Sequence, residues 1–80
     1  MLTVEIRDVE KGVSKAEVEI FCDARGLALL TQQLEHLRQG AGHVHFMTTS
    51  WAGTELDERP VGKGTSLINH LRITLISESK

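Results

Sequence analysis

One cysteine, one proline, no tyrosine and two phenylalanines beside a lone tryptophan mark this 80-residue sequence first by what it lacks. Cys22 has no partner in the chain, so no internal disulfide can form, and the economical expectation is a reducing, cytoplasmic compartment. With Trp51, Phe21 and Phe46 as the only large aromatic rings, aliphatic side chains must build the core. Basic excess is missing too. Nine Lys and Arg stand against eleven Asp and Glu, with no basic cluster and no interleaved aromatics, which argues against a nucleic-acid partner. There is no long apolar run either. The opening MLTVEIRDVE carries a charge every second or third residue, so neither a secretory signal nor a membrane span is expected there. No internal repeat or low-complexity tract appears.

What remains is 40% hydrophobic and 25% charged, the balance of an ordinary folded domain. A chain this short hides only about 60 to 65% of the surface its unfolded state exposes. The expectation is therefore one domain over residues 1–80, with a thin core between two layers.

Leu2, Val4 and Ile6 alternate with Thr3, Glu5 and Arg7, and Ala16, Val18 and Ile20 alternate with Glu17 and Glu19; period two is the mark of a half-buried strand. Between the runs Glu10-Lys11-Gly12 supplies turn chemistry, which predicts a hairpin. After Cys22 the period changes. Leu27, Leu30, Leu34 and Leu37 recur at helical spacing, Asp23 is placed to cap the start, and Gly40 with Gly42 closes the segment, so a helix over about residues 24 to 39 is predicted. Gly26 belongs in its first turn, where the backbone packs close to the sheet. Two further strands follow, His43 to Ser50 and about Leu67 to Ile76. Between them lies WAGTELDERPVGKGTS, a connection long enough in so small a domain to be functional or mobile. The order ββαββ predicts an α+β fold: a single ββαββ domain, a four-stranded antiparallel sheet with one helix packed on one face. The opposite, open face would carry Glu5, Arg7, Glu17, Glu19, Phe21, His43, His45, Met47, His70 and Arg72.

Several constellations invite chemistry. His43 and His45 project from one side of a strand, and pairing with the last strand would set His70 beside them, a three-histidine arrangement of the kind that holds zinc. Against it stand the tolerance of solvent-facing strand positions for histidine and the lack of Cys or carboxylate at diagnostic spacing, so metal binding at His43, His45 and His70 is the alternative rather than the main reading. Cys22, at a helix N-terminus, is read as a small core residue or, less economically, as a nucleophile that lacks a neighbouring base. GKGTS has the composition of a phosphate loop, but the first glycine of that spacing is missing and a strand follows. Trp51 reads equally as a lid on the core or as a binding anchor. Beside it Glu55, Asp57 and Glu58 form an acidic run suited to a basic partner surface.

The order DARGLALLTQQLEHL, then HVHF, SWAGTEL and a closing NHLRITL resembles a small bacterial family of immunity proteins of polymorphic toxin systems, immunity protein 32. The resemblance spans residues 20 to 75. It rests on Asp23, Gly26 and Leu27 at the helix start and on His43 and His45, with Trp51 to Leu56 and Asn69-His70-Leu71 similar to particular members. It implies a cytoplasmic antidote that binds a cognate toxin domain, with no reaction of its own, no catalytic set and no cofactor. The partner-binding residues expected from exposure are Trp51, Glu55, Asp57, Glu58, Arg59, His43, His45, His70 and Arg72. A homodimer in which two open faces stack and bury Phe21, Met47, Ile68 and Ile76 remains a further expectation.

Overall fold

A computed structural model describes residues 1–77. Strand β1 (Leu2–Arg7) and strand β2 (Glu17–Cys22) pair antiparallel without a bulge, from Leu2 opposite Cys22 to Arg7 opposite Glu17. The connection between them is longer than a tight turn. It winds through two short 3₁₀ turns, and Asp8 and Gly12 take positive φ of 61° and 106° to make the corners.

Helix α1 (Ala24–His36) begins where Asp23 caps it: the Gly26 N–H donates to Asp23 Oδ1 at 2.9 Å. Gly26 is required here, because a Cβ on it would lie 1.8 Å from the Met1 carbonyl oxygen. Leu37 to Ala41 add a wider π-type turn, and Gly40 and Gly42, at φ 103° and 86°, release the chain into strand β3 (His43–Met47). The buried line of the helix differs from the predicted one. Gly26, Leu30, Gln33 and Leu37 face inward, while Leu27 and Leu34 stand exposed.

The predicted four-stranded sheet is corrected to two sheets of three and two strands. The last predicted strand breaks into β4 (Ser66–Leu67), which pairs with β1, and β5 (His70–Thr74), which pairs with β3. The physical reason lies at Ile68 and Asn69, adjacent residues that serve different neighbours. The Ile68 N–H donates to the Val4 carbonyl at 2.8 Å, whereas the Asn69 carbonyl accepts from Thr48 N–H at 3.0 Å, and Asn69 Oδ1 accepts from the Thr48 hydroxyl at 2.7 Å. One strand cannot keep a single period through that handover.

The core is as thin as the length requires: Leu2, Val4, Leu37, Val44, Phe46 and Leu56 are buried, with Leu29, Leu30, Ile68, Leu71 and Ile73 packed around them. Val18 and Ile20 are on the helix side of the sheet but uncovered. The radius of gyration of 13.8 Å exceeds the roughly 12 Å of a compact chain this long, so the domain is drawn out rather than spherical.

Candidate interaction site: a row of rings on the β3–β5 ribbon

Antiparallel register decides which side chains share a face. In the β3–β5 ribbon Val44 opposes Ile73 and Phe46 opposes Leu71 on the core side. The other side therefore carries His43 opposite Thr74, His45 opposite Arg72, and Met47 opposite His70. Three imidazoles and an indole line up there. His43 and His45 meet edge to face at 4.8 Å between centroids, His45 stacks on His70 at 5.0 Å, and Trp51 leans over His70 at 5.9 Å.

His45 Nδ1 and His70 Nε2 are 2.7 Å apart, so one nitrogen donates a proton to the lone pair of the other. Partial burial of His45 and the nearby His43, His70 and Arg72 hold its pKa below the ordinary 6.5, against a smaller opposing pull from Glu55. The proton between them engages both nitrogens, whose lone pairs metal binding would need free. Among the described residues no group of three His, Cys, Asp or Glu side chains is placed to hold a metal ion.

Trp51 sits in a 3₁₀ turn, Thr49–Trp51, directly after β3, and remains exposed. It is not a lid; Leu56 closes that end of the core instead. The chain returns to β3 through Gly53, where a Cβ would lie 2.5 Å from the Met47 carbonyl oxygen, and Leu56 N–H then donates to that carbonyl at 3.1 Å. Cys22, expected inside, is exposed at the end of β2, and no hydrogen bond ties it to a base among the described residues.

The acidic run is placed differently from the rings. Glu55 accepts the Met47 N–H at 3.0 Å, Asp57 accepts the Leu2 N–H at 2.9 Å, and Glu58 accepts the Ser50 N–H at 2.6 Å. Each carboxylate clasps the loop to a strand or turn. For Glu55 burial raises the pKa, but the Met47, Glu55 and Thr54 amides outweigh it and hold the group below its usual range; at Glu58 the Ser50 hydroxyl and amide do the same. Asp57, Glu58 and Arg59 also line, with Met1, Pro60 and Val61, a concavity of about 680 Å³. So the structure gathers His43, His45, His70, Trp51, Arg72 and Glu55 into one neighbourhood and sets Asp57, Glu58 and Arg59 along the loop beyond it.

A second polar cluster was invisible in the strand pattern. Glu5, assigned by alternation to an open face, is completely buried, as is Thr3 beside it. The loop covers that part of the face: Val61 and Gly62 donate their N–H groups to the Glu5 carboxylate at 2.8 and 3.0 Å, and the Thr3 and Thr65 hydroxyls donate as well. Burial alone would raise the Glu5 pKa, yet the Thr65 and Thr3 hydroxyls and the Val61 and Gly62 amides bring it down to about 2. The segment with phosphate-loop composition does cradle an anion, and the anion belongs to this chain. A Cβ on Gly62 would come within 3.2 Å of Glu5 Oε1 and 3.1 Å of the Phe21 ring, so Phe21 too lies under the loop and not on a free face.

A sequence model of the Immunity protein 32 family matches residues 17–72. The chain belongs to the Immunity protein 32 family. No match was found among curated proteins or among solved structures. The matched span of this immunity protein runs from β2 to the middle of β5 and so includes every ring of the row.

Proposed function

We propose that this immunity protein neutralises a cognate bacterial toxin domain by binding it directly in the cytoplasm, without a reaction of its own, and that the ring row on the β3–β5 ribbon is the contact surface. Family membership supports the toxin partner. The observation that carries the surface is the continuous row His43, His45, His70 and Trp51, aromatic, part-exposed, and set on a two-stranded ribbon whose other side is buried. Rigid rings give large contact area at small cost in side-chain entropy, and tryptophan is enriched among the residues that dominate interface energy. Trp51 is the anchor; His43 and Arg72 bring hydrogen-bond donors to acidic or carbonyl groups of the toxin.

Glu55, Asp57 and Glu58 act one step back, by holding the loop that presents Trp51. Arg59, exposed on the same loop, extends the contact. The test is a pull-down with the cognate toxin domain. Wild-type protein is retained, and a His43→Ala/Trp51→Ala double variant of unchanged circular dichroism is not. Equal retention of the two proteins would remove the ring row from the contact.

A further inference from the structure

The edge of the three-stranded sheet carries a second surface. In β1 the Leu2 and Val4 carbonyls accept from Asp57 N–H and Ile68 N–H, at 2.9 and 2.8 Å, and the Leu2 N–H donates to Asp57. The backbone groups of Leu2 and Val4 therefore point away from β2. Their partners Cys22 and Ile20 form non-hydrogen-bonded pairs with them, and by alternation Cys22, Ile20 and Val18 aim their N–H and C=O groups outward, at the free edge. No hydrogen bond to these groups from elsewhere in the described chain is present.

The side chains at that edge are apolar and uncovered. Val18 is 60% exposed and Ile20 40%, on the face that α1 covers only farther in. Leu27 and Leu34, 53% and 42% exposed, lie two turns apart on one line of α1, about 70° around from the buried line of Gly26, Leu30 and Leu37. A right-handed helix that runs back over the sheet from the end of β2 turns this flank toward the β2 side. Strand edge and leucines make one apolar ledge. The usual protections of a free edge are missing from it: β2 has no proline, lysine or bulge, and the charges on its other face, Glu17 and Glu19, are both held by Arg7.

We infer that β2 is the dimer interface of this protein: two copies join their β2 strands antiparallel about a two-fold axis at Ile20. The occupant is a second copy because the strand is complementary to itself in the register that its outward groups dictate. With Ile20 opposite Ile20 as a hydrogen-bonded pair, Val18 falls opposite Cys22, and the apolar face runs unbroken across the axis. Glu19 then faces Phe21 rather than its own copy. At the ends Glu17 meets Asp23, and each is already paired within its own copy, with Arg7 and with the Met1 amino group. The dimer is a six-stranded sheet with both helices on one side, and Leu27 and Leu34 of each copy look toward the axis. It leaves the β3–β5 ribbon free.

The experiment needs no toxin, so it stands or falls apart from the proposed function. Sedimentation equilibrium of the wild-type protein at about 100 μM should give twice the 8.9 kDa chain mass, and Ile20→Lys, with unchanged circular dichroism, should give the chain mass. Val18→Cys should form a covalent dimer under mild oxidation, as its thiol meets the partner's Cys22, and Val18→Cys/Cys22→Ala should not. A wild-type protein that stays monomeric to millimolar concentration overturns the proposal, as does equal cross-linking of the single and double variants.

Discussion

The two polar clusters of this small protein stand at opposite limits of satisfaction. Around Glu5 every lone pair that matters has a donor from the same chain, and water is excluded. Along His43, His45, His70 and Trp51 one internal hydrogen bond joins two of four rings, and the rest of the polar capacity faces solvent. A saturated polar group has nothing left to offer a partner, so the first cluster belongs to the fold; an unsaturated one on a rigid ribbon can be completed by another molecule. The same loop links them, since residues between Trp51 and Thr65 supply both the anchor of one and the cradle of the other.

The largest expected effect breaks the saturated side. Glu5→Ala strands two amides and two hydroxyls without their acceptor, and should cost about 3 to 5 kcal/mol, enough to bring a domain of this size close to unfolding in a urea titration. Acid should do the same to the wild type. The Glu5 pKa is lowered from 4.5 to about 2, so its contribution is complete above pH 4.5 and is lost as pH falls through that interval; circular dichroism against pH should show unfolding there, and Glu5→Gln should remove the dependence. Next comes the unsaturated side: Trp51→Ala should weaken toxin binding by about 2 kcal/mol or more, near 30-fold, while its urea midpoint moves little. Thr65→Val removes one hydroxyl donor to Glu5 and should cost about 1 to 2 kcal/mol of stability with toxin affinity unchanged.

The smallest effect sharpens the ring row. Because partial burial, together with His43, His70 and Arg72, depresses the His45 pKa and Glu55 opposes them less, the ring favours the neutral state on folding. Stability from this source is complete above the ordinary pKa of 6.5 and declines as pH falls below it. Imidazole NMR titration should place His45 below 6.5, and His43→Gln should move it upward; a midpoint at or above 6.5 in the wild type would contradict the geometry.

Much of the frame was legible because it rests on local rules. The β1–β2 pairing, the Asp23 cap, the close approach at Gly26, the glycines that end the helix and the face shared by His43, His45, His70 and Arg72 all follow from period, capping and backbone sterics. Illegible were the features set by distant partners. Nothing near Ile68 and Asn69 announces that the strand changes neighbours, because the cause is Thr48, some twenty residues earlier. Nothing near Glu5 announces burial, because its donors come from Val61, Gly62 and Thr65. The helix stripe was misread by one position for a similar reason: a run with leucine at 27, 29, 30, 34 and 37 offers two apolar lines, and the close approach of Gly26 to Met1 chooses between them. The available signal is Thr3 two residues from Glu5 in a strand, together with a Gly-Thr loop in search of an anion.

The most direct test sets one variant from each cluster side by side, by calorimetric titration with the toxin domain and urea unfolding of the same samples. A contact through the ring row requires that Trp51→Ala loses affinity near 30-fold and keeps its stability, while Thr65→Val loses stability and keeps its affinity. An unchanged Kd for Trp51→Ala, in protein shown to be folded, would contradict it.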